Sequence, residues 1–132
     1  MTIKTLLIWL LRVIPALILL QTLFFKFTAS EESVYIFSVI GMEPWGRIGT
    51  GVFELIASVL LLWPRATHFG AILGIGLMSG ALFFHFTKLG IEVKGDGGLL
   101  FTYAIVVMIC CILLIIIHRK QILKLIPFLI KN

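Results

Sequence analysis

The sequence predicts an all-α membrane protein, a four-transmembrane-helix bundle. Of its 132 residues, 61% are hydrophobic and 13% are charged, whereas a soluble domain is about half apolar and a quarter charged. Four apolar stretches are long enough to cross a hydrocarbon core of ~30 Å, at about residues 5–25, 46–63, 67–87 and 99–117. Little chain is left over, so we expect one domain over residues 1–132.

The first span is interrupted by Arg12, Pro15 and Gln21 and is closed by Lys26. Pro15 is expected either to kink the helix or to loosen a backbone hydrogen bond, because proline lacks the N–H donor. Arg12 lies about two turns from the start of the helix. We therefore expect its long side chain to snorkel to the nearer membrane surface.

A short helix is predicted between the first and second spans. Ser30, Glu31, Glu32 and Ser33 have the pattern of a helix start, with Ser30 as the N-cap and acidic residues in the first turn. The apolar residues that follow share one face and end at Gly41: Val34, Tyr35, Phe37 and Ile40. This helix is too short to span, so we expect it to lie on the membrane surface and cap the bundle.

The second span has both of its ends marked, by Glu43-Pro44-Trp45 and by Trp63-Pro64-Arg65. Proline suits a helix start and the position just past a helix end, and tryptophan prefers the membrane interface. Within the span, Arg47 and Glu54 are seven residues apart and share a face. A carboxylate inside a membrane costs about 2.5–3.5 kcal/mol, so Glu54 should face a partner or a cavity.

The third span carries two pairs of glycines at four-residue spacing, Gly70/Gly74 and Gly76/Gly80. Such pairs allow neighbouring backbones to approach closely, and we expect both pairs to do so here. The span has His68 at one end and His85 at the other, near opposite membrane faces.

The fourth span is nearly featureless apart from Thr102, Tyr103 and the adjacent Cys110 and Cys111. Neighbouring helical residues point about 100° apart, so the two cysteines are interpreted as packing residues. The tail over residues 118–132 alternates basic and apolar residues at helical spacing. It is expected to be an amphipathic helix on an anionic leaflet, broken near Pro127.

Charge asymmetry predicts the orientation of the chain. Four spans place both termini on one side of the membrane. The charged residues on that side are all basic: Lys4, Arg12, Arg65, Arg119, Lys120, Lys124 and Lys131. The other side has four basic and five acidic residues: Lys26, Arg47, Lys88, Lys94, Glu31, Glu32, Glu43, Glu92 and Asp96. The positive-inside rule then places both termini in the cytoplasm of a cell (inner) membrane, with the short helix on the extracytoplasmic side.

This topology brings polar residues of three helices to the same outer depth: Gln21, Lys26, Arg47, Glu54 and His85. In one interpretation, Glu54 forms an ion pair with Arg47 or Lys26, and His85 makes an interfacial hydrogen bond. In the other, the cluster binds a quinone or a similar amphipathic molecule, with donors for its carbonyl and Glu54 as a proton relay. These five residues are the candidate ligand-binding site.

An ordered set of features runs through the first three spans: Arg12, Gln21, Lys26, Gly41 with Glu43-Pro44, Gly49, Gly51, Glu54, Pro64 and His85. Over about residues 8–115 this set resembles the DoxX-like family of small four-helix membrane proteins. The resemblance implies the four-helix membrane bundle. Relatives include subunits of a thiosulfate:quinone oxidoreductase, members of membrane redox or thiol-stress complexes, and distant receptor-assembly chaperones.

The function expected is that of an accessory membrane subunit of a redox system, linked to quinone if a cofactor is involved. The alternative is an assembly or scaffolding partner of another membrane protein, without catalytic activity. A transporter is a third option, but four short helices would have to oligomerise to enclose a path. Expected partners are the lipid bilayer and either another membrane protein or a second copy of the chain, not nucleic acid. No metal site is predicted, because the sequence has no HExxH and no Cys/His cluster.

Overall fold

The computed structural model describes the backbone of residues 2–131 and the side chains of residues 2–127. These residues form helices and loops, with no strand among them. The helices are α1 (Ile3–Phe27), α2 (Glu31–Val39), α3 (Trp45–Leu62), α4 (Thr67–Phe84), α5 (Leu99–Ile117) and α6 (Arg119–Lys131), and a π-helical turn (His85–Leu89) continues α4.

Four segments are long and apolar enough to cross a membrane: α1, α3, α4 with its π-helical turn, and α5. The all-α class with four such helices is therefore confirmed. The short helix between the first two of them is also present as α2. It begins where the sequence predicts, because the Ser30 hydroxyl accepts a hydrogen bond from the Ser33 N–H at 3.2 Å.

The four long helices form a ring in which α1 and α4 each pack against both α3 and α5. The fully buried side chains at its centre include Leu19, Leu61, Val107, Cys111 and Leu114. Helix α2 lies across one end of the ring, where it contacts α1, α3 and the π-helical turn. We call this the α2 end of the bundle.

Arg12 corrects the expectation of a side chain that snorkels to the surface. It is only 4% exposed, and its Nε and Nη2 donate to the carbonyls of Leu61 (2.9 Å) and Leu62 (2.7 Å). The guanidinium also lies 3.8 Å from the ring centroid of Trp9. The last carbonyls of a helix lack intrahelical partners and carry partial negative charge. Arg12 therefore caps the C-terminus of α3 by donating to these carbonyls.

The first glycine pair of α4 makes the predicted close approach. A Cβ at Gly70 would lie 2.6 Å from the backbone nitrogen of Leu61 and 3.0 Å from the carbonyl oxygen of Ala57. A Cβ at Gly74 would lie 2.7 Å from the Cys111 sulfur. This pair therefore fixes how closely α4 packs against α3 and α5.

Candidate functional site

A cavity of about 340 Å³ lies at the α2 end, between the four long helices and beneath α2. Its wall is mostly apolar, with polar side chains interspersed: Thr22, Lys26, Ser30, Glu32, Ser33, Thr50, Glu54, His85 and Tyr103. Small-molecule sites in proteins are concave, largely apolar and about 300–1,000 Å³ in volume. This cavity has the size and the lining of such a site.

The second glycine pair of α4 makes this space, which corrects the prediction that it packs against a neighbour. A Cβ built at Gly76 or Gly80 would meet no atom within 4 Å, and both glycines line the cavity. The spacing is the same as in Gly70/Gly74. The difference is the direction that each pair faces.

Glu54 is held by two side chains of α1. Its Oε1 lies 2.8 Å from the Lys26 ammonium, and its Oε2 accepts from the Thr22 hydroxyl at 2.9 Å. Glu54 is 3% exposed and Lys26 is 15% exposed. Of the two expected partners, Lys26 rather than Arg47 is the one that pairs, and both carboxylate oxygens are satisfied.

His85 opens the π-helical turn and is buried against the cavity. Its Nδ1 lies 2.9 Å from the carbonyl oxygen of Gly90. A carbonyl oxygen only accepts, so Nδ1 is the donor of this hydrogen bond. The ring also packs edge-on against Phe101, with centroids 5.6 Å apart.

Two of the five predicted site residues do not line the cavity. The Nε of Arg47 donates to both carboxylate oxygens of Glu43, at 2.8 and 3.0 Å, and its Nη1 donates to the Lys26 carbonyl. The second contact joins the start of α3 to the end of α1. Gln21 is exposed on the outside of α1. The structure thus groups Lys26, Glu54 and His85 around the cavity, with Arg47 beside them and Gln21 apart.

Thr22 contacts Glu54 directly but is not among the five predicted site residues. Thr22 and Lys26 are four residues apart, so they share one face of α1, whereas Gln21 points about 100° away from Thr22. The i, i+4 spacing to Lys26 was the available signal. Tyr103 and Glu32 also line the cavity, but no spacing in the sequence relates them to Glu54.

The loop between α4 and α5 reaches α2 beside the cavity. Lys94 lies 3.3 Å from Glu31 and its ammonium sits 4.9 Å from the ring centroid of Tyr35. Asp96 organises the loop by accepting from the backbone N–H groups of Val93, Gly98 and Leu100 at 3.0, 2.8 and 3.2 Å. Burial would raise the pKa of Asp96, but these hydrogen bonds outweigh it and hold the pKa below its ordinary value.

Comparisons with models of protein families, with curated proteins and with solved structures find no match to this chain. The resemblance to the DoxX-like family therefore stays a prediction from the sequence. Within the described part of the chain, no group of three or more His, Cys, Asp or Glu side chains is placed to hold a metal ion.

Proposed function

We propose that this protein binds a quinone-like amphipathic molecule in the cavity at the α2 end and serves as an accessory membrane subunit of a redox system. The observation that supports this most strongly is the ion pair between Lys26 and the buried Glu54, on the wall of a mostly apolar cavity of ligand size. Apolar walls suit a ring and its tail, and a few polar groups suit its oxygen atoms.

The donors at the cavity suit the carbonyl oxygens of a quinone. The Lys26 ammonium has three N–H donors and sits against one oxygen of Glu54, so donors remain for a ligand. Tyr103 adds a hydroxyl donor on the wall that α5 contributes. A bound quinone would supply two-electron redox chemistry, with the electrons exchanged with a partner enzyme. In this proposal Glu54, the buried carboxylate on the cavity wall, relays a proton of that reaction.

A cavity-filling variant tests the ligand site. Calorimetric titration of the purified protein in lipid nanodiscs with a decyl-substituted benzoquinone should show saturable binding. Gly80→Leu should abolish it, because the new side chain occupies the cavity. Gly49→Leu is the matched control, since a Cβ there also meets nothing within 4 Å but Gly49 does not line the cavity. Equal binding by both variants would refute the site.

Co-purification from native membranes separates the redox role from the scaffolding alternative. A redox enzyme that is recovered with the tagged chain supports the proposal. A client without redox chemistry supports a role in assembly. The control is the Gly80→Leu chain, which should retain a partner bound to the outer surface of the bundle.

The proposed location is the cell membrane, with both termini in the cytoplasm and α2 outside. The charge asymmetry of the loops supports this orientation. In a chain whose Cys110 and Cys111 are replaced by alanine, a cysteine introduced in place of Ser38 should react with a membrane-impermeant maleimide added to intact spheroplasts. A cysteine in place of Lys120 should react only after lysis. The reverse labelling pattern would show that the chain has the opposite orientation.

A further inference from the structure

The charges that face the cavity do not balance. Three charged side chains line it, Lys26, Glu32 and Glu54, so its net charge is one negative when His85 is counted as neutral. The charge of the single cation is already balanced, because Lys26 lies 2.8 Å from Glu54. Among the described residues, no ion pair involves Glu32.

This imbalance bears on the headgroup of any ligand. An anionic headgroup in the cavity would meet two carboxylates and one cation whose charge Glu54 already balances. Charges interact more strongly in an apolar, weakly screened environment than in water. Like charges placed together there are a recognised means of rejecting wrong partners. A neutral headgroup meets no such repulsion.

We infer that the cavity selects neutral amphipathic ligands over anionic ones, and that Glu54 sets this selectivity by balancing the charge of Lys26. The inference rests on the proposed function, since it assumes that the cavity is the binding site. It excludes ligands with a carboxylate or phosphate headgroup and retains those with carbonyl or hydroxyl groups.

Substitution of Glu54 by glutamine isolates the charge. The glutamine would still offer an amide oxygen to the Thr22 hydroxyl, so the local hydrogen bond can be kept. The change removes one negative charge and frees the Lys26 ammonium in an apolar cavity. Glu54→Gln should therefore turn the cavity into a site for anionic amphiphiles, and Lys26→Met/Glu54→Gln should abolish that gain.

The test uses two competitors with the same alkyl chain, dodecanol and dodecanoate, at an alkaline pH where dodecanoate is ionised. The measurement is how well each competitor displaces the decyl-substituted benzoquinone from the protein in nanodiscs. Nanodiscs that contain the Gly80→Leu variant correct for partition of the competitors into lipid. In the unsubstituted protein, dodecanoate should compete at least about tenfold more weakly than dodecanol. Glu54→Gln should shift the ratio toward dodecanoate by about tenfold or more, and the double variant should not.

The outcomes separate the inference from the proposed function. Equal competition by the two amphiphiles in the unsubstituted protein, or an unchanged ratio in Glu54→Gln, overturns the inference while quinone binding stands. Absence of quinone binding overturns both. If Glu54→Gln does not fold, Glu32→Gln at a less buried position replaces it, and an unchanged ratio there contradicts the charge count.

Discussion

Glu54 and Arg12 are the least exposed charged side chains in the described residues, and each is satisfied by a different helix. Glu54 of α3 is held by Lys26 and Thr22 of α1. Arg12 of α1 donates to the last carbonyls of α3. The α1–α3 interface thus has polar contacts at two levels, one at Glu54 in the middle of α3 and one at the end of α3, and together they fix the register of the two helices.

Breaking the Lys26–Glu54 pair from one side should be costly. Lys26→Met leaves a buried carboxylate with Thr22 alone, and we expect the free energy of unfolding to fall by about 3 kcal/mol. Lys26→Met/Glu54→Gln removes both charges and should recover most of that loss. Denaturant unfolding in detergent micelles, followed by circular dichroism, measures the stability of both variants. A double variant no more stable than Lys26→Met would contradict the coupling.

Arg12→Met should remove the charged donors from the end of α3 and lower the free energy of unfolding by about 2 kcal/mol. Arg12→Lys should recover only part of this, because a single ammonium does not reproduce the fork that reaches Leu61 and Leu62. Arg65→Met is the control at an exposed position. A loss from Arg65→Met equal to that from Arg12→Met would show that general charge, not the helix cap, is responsible.

Helix α4 carries two glycine pairs with identical spacing and opposite roles. Gly70→Ala would push a methyl group against the backbone of α3, which cannot rotate away, and should cost about 2 kcal/mol of stability. Gly76→Ala meets open space and should be neutral or stabilising by up to about 1 kcal/mol through helix propensity. The same unfolding assay compares the two variants, and Gly70→Ala should be the less stable; the opposite order would contradict the roles assigned to the two pairs.

The loop before α5 should make stability depend on pH through Asp96. Its pKa in the folded protein lies below the ordinary value, so its contribution is present above that ordinary value and is lost as the pH falls through the lowered pKa. Asp96→Asn should lower stability near neutral pH and flatten this acid limb. Unfolding measured over a series of acidic pH values tests it, and an unaltered limb would assign the effect to another carboxylate.

Composition and apolar run length were enough to predict four long helices, because each run had to match a membrane thickness. The Ser30 cap was predictable because it is local in sequence. The glycine pairs show the limit. Spacing says that Gly76 and Gly80 share a face, but not that a cavity lies opposite them.

The sequence predicted how deep in the membrane the site residues lie, but not which side of its helix each residue faces. Topology placed Lys26, Glu54 and His85 at one end of the bundle, and all three line the cavity. Gln21 lies at the same depth but on the outside of α1, and Arg47 forms an ion pair with Glu43. Which side of a helix faces its neighbours depends on packing between distant segments, and that information is not local in the sequence.

As a whole, the protein combines a tightly packed α3–α4 contact at Gly70 with an open cavity at the α2 end. The proposed function requires that the ligand binds in this cavity. Photo-crosslinking with an azido-quinone in nanodiscs, followed by peptide mass spectrometry, tests it most directly. We expect labels on cavity-lining residues such as Ile36 and Phe84, and their loss in Gly80→Leu. Labels confined to outward-facing residues such as Phe53 and Ile109, unchanged in Gly80→Leu, would contradict it.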